Sequence, residues 1–120
     1  MSKLSIHSVD DNGTLDKECL WLEVLEDIFH LEFFLVCDTT FKDDQHISNE
    51  VRHMFWFPKH VVKKGDWVRL FTKNGVAQTT DNNRNTKTHN FYWNLGKTVW
   101  NKGGDAAVVF EIAEWTSKRV

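Results

Sequence analysis

Six histidines (His7, His30, His46, His53, His60 and His89) and two cysteines (Cys19 and Cys37) carry most of the metal-binding and nucleophilic potential of this chain. A zinc site needs several ligands converging at defined spacing, and no His-x₃₋₅-His or Cys-x₂₋₄-Cys pair occurs, so no metal is expected. The run Asp81-Asn82-Asn83-Arg84-Asn85 imitates the opening of a calcium loop, but Thr86 stands where that loop requires glycine and Tyr92 where it requires glutamate. No serine lies in a Gly-x-Ser-x-Gly elbow, and no glycine-rich loop leads from a strand into a helix. The paired carboxylates Asp43-Asp44 fall in a turn-like stretch where solvation is their ordinary state. The expectation is a protein without catalytic residues, cofactor or small-molecule substrate.

Binding chemistry is better represented. Side chains on a strand alternate between faces, so Trp67, Arg69 and Phe71 share one side of WVRLFT while Val68, Leu70 and Thr72 share the other. Arg69 marks its side as the outer one. By the same test Arg52, Met54 and Trp56 point outward and Val51, His53, Phe55 and Phe57 inward; Glu23 carries Trp21 outward, and Glu32 carries Phe34. Aromatics beside arginine are the usual material of interface hot spots. Arg52, Trp56, Trp67, Arg69 and Phe71 are therefore expected to form an aromatic-arginine face for a protein partner or for a second copy. If loops or β-bulges redirect these rings, they form a second small core instead.

Charge suggests an alternative. Residues 1–50 hold three lysines against twelve acidic residues, whereas residues 51–102 hold ten basic residues against Asp66 and Asp81. A basic region from Arg52 to Lys102, with Lys59, Lys63, Lys64, Arg69, Arg84 and Lys87, would suit a nucleic-acid backbone, with the aromatics stacking on bases. Against it stand a pI near 6.3 and the ordinary pairing of acidic strands with basic ones across a sheet.

These side chains must be positioned by strands. Alternation marks Leu4-Ile6-Val9, Leu20-Leu22-Val24 and Leu31-Phe33-Leu35-Cys37, and further strands are expected near 51–57, 67–72, 90–94, 97–101, 105–112 and 114–118. Turn chemistry separates them at Asp11-Asn12-Gly13, Lys64-Gly65-Asp66, Lys73-Asn74-Gly75, the Asn/Thr-rich loop from Gln78 to Asn90, and Lys102-Gly103-Gly104. A helix over Glu18–Phe34 is the rival reading, but apolar residues occupy both of its sides and Glu26-Asp27 supplies a central turn. At 120 residues and 41% apolar content the chain is one domain with its own core. No segment approaches the ~20 apolar residues of a membrane span, and no signal-peptide run opens the chain. Cytoplasmic residence is thus expected, with both cysteines free.

The segments ECLWLEVLEDIFHLEFFLVCDTTF, FWFP, VVKKGDWVRLF and WNKGGDAAVVF, in this order, resemble the lamin tail domain over nearly the whole chain, from about Leu4 to Glu114. That pattern has a strand ending in Phe-Pro, a glycine turn, a long apolar strand, and a late Gly-Asp hairpin before another apolar strand. The resemblance implies an all-β, immunoglobulin-like sandwich of about seven to nine strands, of a stand-alone bacterial or phage type. It also implies binding or structural roles, and the family offers no catalytic residue to carry over.

Overall fold

The computed structural model describes residues 2–43, 45–100 and 103–120. Among these residues eight strands form: β1 (Leu4–Asp10), β2 (Cys19–Val24), β3 (Phe34–Thr40), β4 (His53–Trp56), β5 (Trp67–Phe71), β6 (Gln78–Asp81), β7 (Lys87–Tyr92) and β8 (Asp105–Glu111). They build two sheets, one ordered β1-β2-β5-β7-β6 and one ordered β4-β3-β8. All neighbours are antiparallel except β5 and β7, which run parallel because β6 is placed outboard of β7. The chain is thus an all-β sandwich, with a strand number inside the predicted range.

The core is filled from both sheets in the alternation that period-2 patterning demands. Leu20, Leu22 and Val24 from β2, Val68 and Leu70 from β5 and Phe91 from β7 meet Phe34 and Val36 from β3, with Phe57, Leu31, Val62 and Trp100 closing the ends. Burying a side chain of this size contributes about 1.5–3 kcal/mol each, so the sandwich requires no disulfide. Cys19 and Cys37 are indeed free, buried in different sheets.

Several expectations are corrected. Residues Leu31–Phe33 form a 3₁₀ turn, so the third strand begins only at Phe34. The turn reverses the predicted alternation: Phe34 and Val36 enter the core, 2% and 0% exposed, whereas Leu35 and Cys37 fall on the other face. Phe34 is therefore not an outward residue. Val51 precedes β4 and is exposed instead of inward. The Gln78–Asn90 stretch is a hairpin, closed by Asn82, whose Oδ1 accepts the amides of Arg84 (2.9 Å) and Thr86 (3.2 Å). Residues 97–100 and 114–118 are not strands; Val99 and Trp100 are buried without a ladder. The remaining predicted position of that first segment, Asn101, lies outside the described residues, as do Asp44 of the carboxylate pair and Lys102 of the basic region.

A buried carboxylate explains how the 97–100 segment is held. Glu18 is 0% exposed, and its oxygens accept the backbone amides of Val99 (2.8 Å), Trp100 (3.3 Å) and Gly13 (2.8 Å). In the three-stranded sheet the buried Asp38 binds Arg52 Nε at 3.1 Å and His53 Nδ1 at 2.9 Å, while Arg52 also reaches Asp105. Part of the charge asymmetry is thereby consumed inside the fold, acidic early residues meeting basic later ones.

Candidate functional site

The five predicted partner-binding residues do not form one surface. Trp67, Arg69 and Phe71 lie on β5 in the five-stranded sheet, whereas Trp56 lies on β4 in the three-stranded sheet and Arg52 immediately precedes β4. Two outer faces result, and they differ in chemistry.

On the five-stranded sheet, cross-strand register aligns Ser8, Trp21, Arg69, Asn90 and Gln78 in one row. Glu23, Trp67, Thr88 and Thr80 form the next. Arg69 does face outward, as its charge requires: its guanidinium covers the rings of Trp21 at 4.6 Å and Phe71 at 4.2 Å. Phe71, in contrast, is only 7% exposed, because it is stacked on Tyr92 (5.0 Å, 11° between planes) beneath Arg69 and Lys73. It belongs to a small outer core instead of standing open on the face.

Beside this cluster opens a cleft of about 560 Å³, within the range of ligand sites. Its floor holds Trp21 and Trp67, centroids 5.9 Å apart and planes at 87°. One wall is β1, contributing His7, Ser8 and Asp10; the other is the tip of the β6–β7 hairpin with Asn82, Asn83 and Arg84. A register shift between Ile6 and Ser8 places His7 as an extra residue, and its ring meets Trp67 edge-on at 5.1 Å. Bulges commonly re-aim a side chain in this way. Arg84 approaches Trp67 from the hairpin, 5.4 Å from the ring. Among the described residues, the side chains of Asp10 and Asn83 carry no hydrogen bond, so the rim offers acceptors and donors above an apolar floor. Trp21 was expected to point outward, but His7, Asp10 and Asn83 were not among the expected partner-binding residues; the bulge that aims His7 at Trp67 leaves no mark on period-2 patterning.

The predicted basic set is dispersed. Lys63 sits 4.6 Å over Phe29, Lys87 is paired with Asp81, and Lys59 is exposed with no partner among the described residues. Only Lys64 and Arg84 converge, in a second groove of about 290 Å³ on the far side of Trp67 that also holds Glu23 and Asp66.

Behind the hairpin lies a buried polar chain. Asp66 Oδ2 accepts from His89 Nε2 (2.8 Å) and the Lys63 amide (3.0 Å), and its Oδ1 accepts the Lys87 amide (3.1 Å). With Nε2–H directed to the carboxylate, His89 Nδ1 is left to accept from His60 Nε2 at 2.9 Å and Thr79 Oγ1 at 3.2 Å. Two groups thus share one lone pair. The carboxylate and imidazole serve to lock β7 onto the Lys64-Gly65-Asp66 turn, where Gly65 adopts φ +92°. No group of three metal-ligating side chains converges among the described residues.

An all-β sandwich with a tryptophan-floored cleft on its outer sheet is the class this fold defines. No protein family matches the sequence, and no curated protein or solved structure is significantly similar to it.

Proposed function

We propose that this chain is a non-catalytic, lamin-tail-like binding module of the cytoplasm that engages a protein partner through the outer face of its five-stranded sheet. The observation that carries this reading is the cleft over Trp21 and Trp67, rimmed by Asp10, Asn83 and Arg84. Perpendicular indole rings offer an apolar seat for a partner side chain, while the rim groups can bond a partner backbone. This reading assigns the contact to Trp21, Trp67 and Arg84, with Arg69 beside them on the same face, and leaves Trp56 and Arg52 outside.

The test is capture from lysate by the immobilised protein, by Trp67→Ala and by Arg84→Glu, each checked for an unchanged fold by circular dichroism. A discrete protein retained by the native chain and lost with both variants supports the proposal, and retention by both variants refutes it. Lys64 and Arg84 flanking Trp67 favour nucleic acid as the second reading. Retention abolished by nuclease and by raised salt would establish that reading in place of the first, because phosphate contacts release counterions.

A further inference from the structure

The outer face of the three-stranded sheet has no charged side chain in its central rows. Register places Trp56, Leu35 and Phe110 in one row and Met54, Cys37 and Val108 in the next. Beyond β8, Trp115 lays its ring against Trp56 (4.9 Å, planes at 90°) and Phe33 (5.1 Å), extending the same apolar surface. Four of these residues remain open to solvent: Met54 52%, Trp56 50%, Trp115 42% and Phe110 40%. The opposite sheet differs, since its outer rows carry Arg69 and Glu23 between the tryptophans.

We propose that this face joins two copies of the chain about a two-fold axis, independently of the cleft on the other sheet. The area decides the occupant. Large side chains bury about 150–250 Å² each, so four such residues near half exposure offer roughly 400 Å² of apolar surface. Half-buried Leu35, Phe33 and Val108 bring this to roughly 450–500 Å². A standard interface takes about 800 Å² from each partner, of which about 65% is apolar in homodimers, or roughly 500 Å². The match leaves the rim polar, as in stable dimers. Central rows without charge also carry no signal to select a chemically different partner, whereas an isologous contact requires only that the surface fit itself. Sheet faces pack in this way inside sandwiches, at about 10 Å separation. Net charge of −2 per chain adds little repulsion.

Sedimentation equilibrium from 1 to 500 µM tests the proposal, with Met54→Lys, Phe110→Lys and, on the other sheet, Arg84→Glu. The native chain and Arg84→Glu are expected to dimerise with a micromolar dissociation constant. Each lysine variant is expected to weaken association at least 30-fold, because the two-fold axis buries the new charge twice. Should a lysine variant melt early, Met54→Ser and Phe110→Ser take its place with a smaller weakening. A monomer throughout this range, a dimer indifferent to these substitutions, or open-ended growth beyond two copies would each overturn the inference.

Discussion

Replacing Asp66 by asparagine isolates the polar chain that fastens the β6–β7 hairpin, and with it the Arg84 wall of the cleft, to the rest of the sheet. Asp66 is 6% exposed and accepts three hydrogen bonds, from His89 and from the amides of Lys63 and Lys87. Bonds to a charged group contribute about 1.5–3 kcal/mol each, and asparagine retains one acceptor oxygen while turning an N–H₂ toward a donor. The expected loss is therefore about 3–4 kcal/mol, which for a domain of this size lowers the melting temperature by roughly 10–15 °C. Thermal and urea unfolding at pH 7 measure it. Burial pushes the Asp66 carboxyl up, but the hydrogen bonds from His89, Lys63 and Lys87 more than offset this and hold it below its ordinary 3.8. With the folded value depressed, the stabilisation is complete above pH 3.8 and is lost as pH falls through the folded value. The gap between native protein and variant must consequently narrow in acid. His60 acts in a higher window: burial, then the neighbouring His89, hold its imidazole below 6.5, so the unfolded chain takes up that proton first and stability declines as pH drops below 6.5. His60→Gln should flatten that decline. A melting temperature within 2 °C of the native value for Asp66→Asn, or a gap constant from pH 7 to pH 3, would refute the reasoning.

Three further outcomes follow from the same structure. Glu18→Gln should cost about 2–3 kcal/mol and accelerate hydrogen exchange at the Val99 and Trp100 amides, which lose their carboxylate acceptor; unaltered protection by NMR would count against the clamp. Gly75→Ala would place a Cβ 2.4 Å from the Tyr92 ring, so Tyr92 must leave its stack on Phe71, with about 1–3 kcal/mol lost and ring-current shifts altered at Phe71 and Tyr92. Burial raises both thiols above their ordinary 9.0, with Arg69 partly opposing this at Cys19, so neither should react with a disulfide reagent at pH 8 until the chain is unfolded.

Strands with a buried face were legible in the sequence because their burial is periodic: Leu20-Leu22-Val24 and Val68-Leu70 mark β2 and β5, although a helix over Glu18–Phe34 competed with β2. Strand β6 was invisible, since all four of its residues, Gln-Thr-Thr-Asp, are exposed and polar and pair only through their backbone. The LEFFL run misled alternation because a single 3₁₀ turn at Leu31–Phe33 shifts the phase of everything after it. Of the cleft, Trp21 and Trp67 could be found by parity. His7 could not, because a bulge has no residue signature, and Arg84, expected only as part of a basic region, joins the cleft because a hairpin returns it to Trp67. Nor could parity show that Trp56 and Trp67 occupy different sheets; that is a property of strand order, which period-2 patterning does not encode.

The placement of β3 between β4 and β8 has a consequence in time. β3 ends at Thr40 and β8 at Glu111, so about seventy residues must be synthesised before the central strand receives its second neighbour. At ~5–20 residues per second the edge of Phe34–Thr40 waits about 4–14 s on the ribosome, long enough for pairing with another nascent chain. Late completion of this sheet makes yield in the cell a property of translation speed as much as of final stability. Slowing synthesis before β8 should raise the aggregated fraction, while the refolded protein would be unaffected.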